Sequence, residues 1–439
     1  MNAREVATQV LHRVGHDGAF ASAALESELS QAADLDARDR ALATELTYGS
    51  LRFLPWLESQ IEPFAPKGTK KLDPRVRAVL SVAAYQLFFT RIPAFAAVSQ
   101  AVASVRALRG ERLAAFTNAV LRKVAARASE MGEVDRGAAL LECTAPELRA
   151  GLERALGAAS ARAFVASAIE VPPVGLRVEL PAERSLWLER LRAIGSDGHF
   201  DLGPVSPLAI LARGVGRPQS LPGWREGSWS VQEEGAQLAA LSLAARPGEV
   251  VLDACAGRGN KTAVLARAVG PGGAVDACDA IPSKLDRLRE ELSRIALAPR
   301  ATFAVDWTVG SGGVPSDYDR VLVDAPCSGV GTLRRRPDMS QRRHRSDLPA
   351  FARTQAAIAA RAAQHVRPGG TLVYVVCSVL REEAEDVVAA VLAAVPDLTV
   401  GPFEAPEVRA VAGDTSSFRL LPHVHGTDGY FAAHFVRRR

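Results

Sequence analysis

Apolar residues recur three and four positions apart through most of the first 130 residues, the spacing that gives a helix one buried face. The clearest run is Val76, Leu80, Ala83 and Leu87. Its start is marked by Leu72-Asp73-Pro74, where Asp73 suits the N-cap and Pro74 the first helical turn. That helix should stop before Ile92-Pro93, and two more amphipathic stretches follow, Val98 to Leu108 and Leu113 to Val124. Strand signals are few, so residues 1–130 are expected to form an all-α bundle.

The pattern becomes mixed over residues 131–220. A helical stretch, TAPELRAGLERALG, precedes VPPVGLRVELP, which alternates like a short strand, and a second helix, ERSLWLERLRAIG. These predict a small α/β subdomain, with Pro and Gly punctuation between Gly214 and Gly227 marking the junction that follows. From residue 221 to the end the rhythm is strand, helix, strand. Continuous apolar runs at Val250–Leu252, Ala274–Val275, Val321–Val323 and Leu372–Val376 are each followed by a turn and a helical pattern. Such runs imply strands buried on both faces of a mostly parallel sheet, so the fold class is multidomain, α followed by α/β. Ligands of such sheets sit at the carboxyl ends of the strands. No internal repeat is present.

Length agrees with this division, since 439 residues at roughly 150 per domain suggest two or three domains. No apolar run reaches the ~18 residues of a spanning helix, and the N-terminus lacks a signal-peptide core. A cytoplasmic, membrane-free protein, acting as a monomer, is the expectation. Net charge is only +4, but six of the 53 cationic residues are lysine and the rest arginine. That bias is compatible with phosphate contact and equally with genome composition. The five cysteines, at 143, 255, 278, 327 and 377, show no zinc spacing and no disulfide framework. Free thiols and no metal are expected.

Candidate chemistry lies at the strand ends. The first buried strand runs into Asp253-Ala-Cys255-Ala256-Gly257-Arg258-Gly259-Asn260-Lys261-Thr262 and then a helix. Glycines there let the backbone turn tightly, and the helix N-terminus offers free N–H groups to an anion. The next strand ends at Asp279, placed to accept from a ribose diol. Together these features indicate a nucleoside-containing cofactor. A dinucleotide site would show G-x-G-x-x-G, but Thr262 occupies the third glycine's place, which favours S-adenosylmethionine. Asp306, after Phe303-Ala304-Val305, is placed to reach the adenine region or to be an ordinary loop carboxylate.

The fourth strand ends in Asp324-Ala-Pro-Cys327-Ser-Gly329 and the fifth in Val376-Cys377-Ser378. Most lone cysteines are inert core residues, but these two fall where adjacent strands open onto a substrate. Cytosine C5 is too weak a nucleophile to take a methyl group unless a thiolate first adds to C6. Helix N-termini or nearby cations lower a thiol's pKa from ~8.5. Arg381 and a helix starting near Glu382 are placed to serve Cys377.

At this point the sequence resembles a known family. DACAGRGNKT, DAPCSGVGTLRRRPD, PGGTLVYVVCSVLREEAEDVV and HVHGTDGYFAAHF are similar to the RNA 5-methylcytosine methyltransferases of the RsmB/Sun/Fmu type, and SWSVQEEGAQLAA to the segment leading into their catalytic domain. ALATELTYGSLR, LDPRVRAVLSVAAYQL, IPAFAAVSQAV and FTNAVLRKV resemble the NusB-like RNA-binding domain fused to it. The resemblance implies a NusB-like bundle over 1–130, a small linker subdomain over 131–220 and a Rossmann-like methyltransferase domain over 221–439. It implies Cys377 as nucleophile, Cys327 in product release and Asp324 at both the cytosine edge and the cofactor. Cys255 to Lys261 would hold the methionine moiety, Asp279 the ribose and Asp306 the adenine side. The cofactor would be S-adenosylmethionine.

The chain departs from the family's A-A-P-G-G-K at Arg258 and Asn260, where asparagine tolerates left-handed angles better than most residues. Val376 and Ala384 replace a usual threonine and asparagine. Six arginines, at 334, 335, 336, 342, 343 and 345, follow the Pro-Cys loop and are expected to meet phosphates. The substrate implied is a cytosine in 16S (small-subunit) rRNA or an assembly intermediate. Alternatives are transfer RNA, another rRNA site, or a non-catalytic RNA-binding assembly factor.

Overall fold

A computed structural model describes all residues except 67, 196–197 and 340–346. The chain divides into two compact units, one comprising residues 1–149, 161–170 and 333–342, the other 150–160, 171–332 and 343–439.

The first unit is helical. Its longer helices are Ala3–His16, Ala21–Gln31, Ala37–Arg52, Pro74–Phe89, Ala94–Arg109 and Glu111–Met131. The expected start at Asp73 is present, its carboxylate accepting from the amides of Arg75 and Val76 at 2.9 and 3.2 Å, which satisfies donors that the first turn leaves free. Helix Pro74–Phe89 is buried nearly all round, with Val79, Leu80, Val82 and Ala84 in the core. It meets helix Ala37–Arg52 at Gly49, where a Cβ would lie 2.1 Å from Cζ of Tyr85. The Tyr85 hydroxyl donates to Glu45 at 2.5 Å, so the ring is fixed on the side that Gly49 leaves open.

Residues 333–339, directly after the Pro-Cys loop in sequence, cluster with this helical unit. Arg52 Nη2 donates to the Arg334 carbonyl at 2.9 Å, and the Arg336 guanidinium lies 5.4 Å from the Phe20 ring centroid.

The second unit contains two sheets. β1 (Val174–Val178), β2 (His199–Leu202), β3 (Ala209–Arg213) and β4 (Trp229–Val231) form an antiparallel sheet in the order β2-β3-β1-β4. Helix Arg184–Arg192 buries Trp187, Leu188 and Leu191 against it. The larger sheet contains β5 (Val250–Asp253), β6 (Ala274–Asp279), β7 (Ala301–Ala304), β8 (Tyr318–Asp324), β9 (Val366–Val376), β10 (Leu398–Val400), β11 (Ser417–Leu420) and β12 (Tyr430–Arg437). Their order is β10-β12-β9-β8-β5-β6-β7, with β11 also on β12. The five strands β5 to β9 are mutually parallel, and β12 runs antiparallel to β9. The continuous apolar runs explain this: Val321–Val323 and Leu372–Val376 are wholly buried, as central parallel strands must be. From the neighbouring strands β5 and β8 the chain moves on in opposite directions, to β6 and to β9, and the crevice beyond their carboxyl ends is where such sheets bind ligands. Among the described residues no helix is long and apolar enough to cross a membrane.

Gly49→Ala is expected to destabilise the helical unit by about 1–3 kcal/mol, because the pinned Tyr85 ring outweighs the ~1 kcal/mol that alanine gains in helix propensity. A urea midpoint equal to or above that of the parent chain would contradict this packing account.

Candidate active site

Three acids lie where a cofactor is expected. Asp253 ends β5, Asp279 ends β6, and Asp306 follows β7. The loop after β5 is tied to both neighbouring strands, Ala254 N donating to Leu322 O at 2.9 Å and Ala256 N to Cys278 O at 2.7 Å. Gly257 N donates to Asp279 Oδ2 at 3.1 Å. Left-handed angles fall on Gly257 and Gly259, at φ 58° and 88°. A Cβ at Gly259 would also meet Leu292 Cδ1 at 2.7 Å, whereas one at Gly257 would meet nothing within 4 Å. Asn260 is the first residue of helix Asn260–Val269 and is not among the non-glycine residues of positive φ. Its tolerance of left-handed angles is therefore not called upon, and Arg258 is exposed on the loop. Asp279 also accepts from Ile281 N at 2.9 Å and pairs with Lys284 at 3.2 Å. Asp306 is exposed, and the hydroxyl and amide of Thr308 hold its carboxyl below the usual range.

The two thiols converge at the ends of β8 and β9. Asp324 pairs with Val375 in the parallel register. Beyond the strands, Ala325 N donates to Val375 O at 3.0 Å and Gly331 N to Cys377 O at 3.0 Å. The Pro-Cys loop is thus stitched to β9 on both sides of Cys327, whose Sγ lies 3.2 Å from that of Cys377. Glycine is required at 331, since a Cβ would fall 1.9 Å from the Gly429 carbonyl oxygen.

Lys261 sets the charge of this pocket. Its Nζ lies 2.6 Å from Asp324 Oδ2. Burial would lower its pKa, but Asp324 outweighs burial and Cys377 and Asp253 add to it, so the ammonium is held charged. Arg381, expected beside Cys377, instead pairs with Asp386 at 3.1 Å on the surface, so Lys261 is the cation that Cys377 feels. The Cys327 thiol is pushed well up, first by its hydrogen bond with Cys377 and then by burial. Cys255 and Cys278 are raised chiefly by burial, with Asp253 adding to both, which leaves them protonated and unreactive.

Sequence reasoning missed the polar group behind the Pro-Cys loop. Glu383, fully buried, accepts from Ser328 N and Oγ at 2.7 and 2.5 Å. The only hint in the sequence is that Cys-Ser occurs twice, at 327–328 and 377–378. Tyr430, in the closing motif, is also buried within reach of the charges of Glu233 and Cys377. Of the arginines expected to meet phosphate, Arg334 is buried at 5% exposure, so in this conformation its guanidinium does not face solvent. Arg335 and Arg336 are half-buried, and Arg342, Arg343 and Arg345 lie outside the described residues.

Comparison with known proteins is decisive at this point. Residues 240–436 match the family described as 16S rRNA methyltransferase RsmB/F, and residues 1–126 match the NusB family. Ribosomal RNA small subunit methyltransferase B of Cronobacter sakazakii is 31% identical over all of this chain and 99% of its own length. The protein of that name from Vibrio cholerae is 33% identical over 99% and 97%. The chain belongs to the RsmB/F family. Among solved structures, PH0851 superposes with a TM-score of 0.83 at 21% identity, covering 99% of both chains, which shows a shared fold. A methyltransferase homolog protein from Pyrococcus horikoshii, 25% identical, covers 68% of this chain and 97% of its own with a TM-score of 0.57. A methyltransferase catalytic domain with a NusB domain is the family's architecture here, as the motifs implied.

Asp253 offers a test of the buried charge. Burial raises its carboxyl to about 7, against a stabilising hydrogen bond from Thr262 at 2.7 Å. A raised acid favours the protonated folded state, so this group's stabilisation is present at low pH and lost as pH climbs from the ordinary carboxylate range to about 7. Asp253→Asn keeps an acceptor for Thr262 and cannot ionise. Its unfolding free energy should gain on the parent's across that window, by up to about 4 kcal/mol. Parallel stability profiles from pH 4 to 8 would contradict the burial.

Proposed function

We propose that this RsmB/F-family protein uses S-adenosylmethionine to methylate C5 of a cytosine in 16S rRNA, free or in a small-subunit assembly intermediate, through a covalent adduct on Cys377. The observation that carries the reading is the pair of thiols 3.2 Å apart at adjacent strand ends, beside the Lys261–Asp324 ion pair.

The cofactor site suits a nucleoside with a charged tail. Open space above Gly257 leaves the loop from Cys255 to Lys261, with Ala256, Arg258, Gly259 and Asn260, free to receive the methionine moiety. Asp279 is placed for the ribose and Asp306 for the adenine side. When bound, S-adenosylmethionine supplies an electrophilic methyl group on its sulfonium.

The protein's own residues do the rest. Cys377 Sγ adds to C6, the C5=C6 pair moves to C4=C5, and negative charge develops at N3. The C4=C5 pair then forms the bond from C5 to the methyl carbon, N3=C4 is restored, and the S–CH3 pair would stay on the sulfonium sulfur, which departs as a neutral thioether. Solvent water takes the C5 proton, the C–H pair restores C5=C6, and Cys377 leaves with the C6–S pair and takes up the proton of the neighbouring Cys327 thiol. Lys261 places a positive charge within electrostatic reach of Cys377. Asp324, held by Lys261, accepts from the cytosine's exocyclic amine and orients the ring. Cys327, kept protonated against Cys377, is suited to release and not to attack. A cytosine from an unpaired segment, turned out of its stack, is the form that such a pocket admits. The exposed parts of Arg335 and Arg336, with Arg342, Arg343 and Arg345, would neutralise flanking phosphates.

Cys377→Ala should abolish methylation and form no denaturant-stable complex with RNA, while Cys327→Ala should accumulate such a complex. Reversed phenotypes would exchange the two roles. Bisulfite sequencing of RNA from a deletion strain should show one cytosine of 16S rRNA becoming convertible. A change confined to transfer RNA or to the large-subunit rRNA would replace the substrate but not the chemistry.

A further inference from the structure

Behind the Pro-Cys loop lies a buried polar cluster that the reaction as described does not use. Its centre is Glu383, a fully buried acid at the end of the short turn Arg381–Glu383. Its carboxylate accepts from Ser328 N at 2.7 Å, Ser328 Oγ at 2.5 Å and Gln355 Nε2 at 3.0 Å. The Gln355 amide also donates to the Pro326 carbonyl at 2.9 Å. Tyr374, on β9, donates to the backbone carbonyl of Glu383 at 2.7 Å. Ser328 Oγ lies 3.4 Å from Ser378 Oγ. Three of the four residues flanking the two thiols are therefore held by one network: Pro326 and Ser328 around Cys327, and Ser378 after Cys377.

We propose that Glu383 is a positioning residue for product release, holding the Pro326-Cys327-Ser328 turn so that the Cys327 thiol stays on the sulfur of Cys377. This rests on the reading of Cys327 as the release residue. Burying a carboxylate is costly unless it is fully bonded, and here three donors meet the two oxygens of Glu383. A charge does act on the neighbouring thiol. The groups facing Cys327 are Cys377, Glu383 and the Tyr374 phenol, with the Lys261–Asp324 pair across the strand ends. Once Cys377 is bonded to C6 its sulfur is an uncharged thioether, and its hydrogen bond with the Cys327 thiol weakens. Burial and the negative charge of Glu383 then remain to keep the Cys327 thiol protonated.

Glu383→Gln removes the charge and keeps the shape. In the full-length protein with 16S rRNA and S-adenosylmethionine, the expected result is a covalent complex that forms within about threefold of the parent rate but breaks down about tenfold more slowly. The pH at which breakdown changes should move down. Ser328→Ala, which removes one donor to the same carboxylate, should slow breakdown in the same direction. In a Cys327→Ala background, Glu383→Gln should add nothing, because its effect passes through Cys327. Additive effects, or equal slowing of formation and breakdown, would overturn the proposal for Glu383 and leave the role of Cys327 standing. Failure of Cys327→Ala by itself to accumulate the complex would overturn both.

Discussion

Asp324 on β8 lies beside Val375 on β9, and three residues on from the one and two on from the other the backbone opens to present a thiol. Parallel pairing in this register is the constraint on which the site depends. Side chains alternate faces along a strand, so a slip of one residue would send the reactive groups to opposite sides of the sheet. The register is secured by the apolar faces of both strands and by the two bonds beyond them, Ala325 to Val375 and Gly331 to Cys377. Gly331 is part of the same device, because only a residue without Cβ can approach Gly429 so closely.

Given that scaffold, the electrostatics follow from how few charges the pocket admits. Lys261 is the cation, Asp324 its partner, and Cys377 lies in the field of both. The other thiols are surrounded by apolar groups and carboxylates, which hold them protonated. The departures at Arg258 and Asn260 leave this arrangement intact, since one is exposed on the loop and the other begins a helix in ordinary right-handed geometry.

Local pattern carried much of the architecture. Helical periodicity and the Asp73-Pro74 start located helix Pro74–Phe89. Continuous apolar runs located β5, β6, β8 and β9, and acids just past strand ends pointed to the cofactor side. Strands β2, β3 and β4 were not legible, because they are only three to five residues long, and the partner of β4 lies far back along the chain. Cytosine chemistry by itself did not rank the two thiols; the ranking came from the family resemblance.

What the sequence determined by itself was therefore whatever depends on neighbours within a turn or a strand: element type, caps, the glycine loop and the motifs at strand ends. What only the tertiary structure decided depends on residues distant in sequence. Ser328 and Glu383 are 55 residues apart and are joined by two hydrogen bonds of a buried network. Arg334, read as a phosphate contact from its charge, is buried in the helical unit. Arg381 turned to Asp386, leaving Lys261 to face Cys377. Charge and spacing say what a side chain can do, but burial and partnership say what it does, and both are settled by contacts that no local window contains.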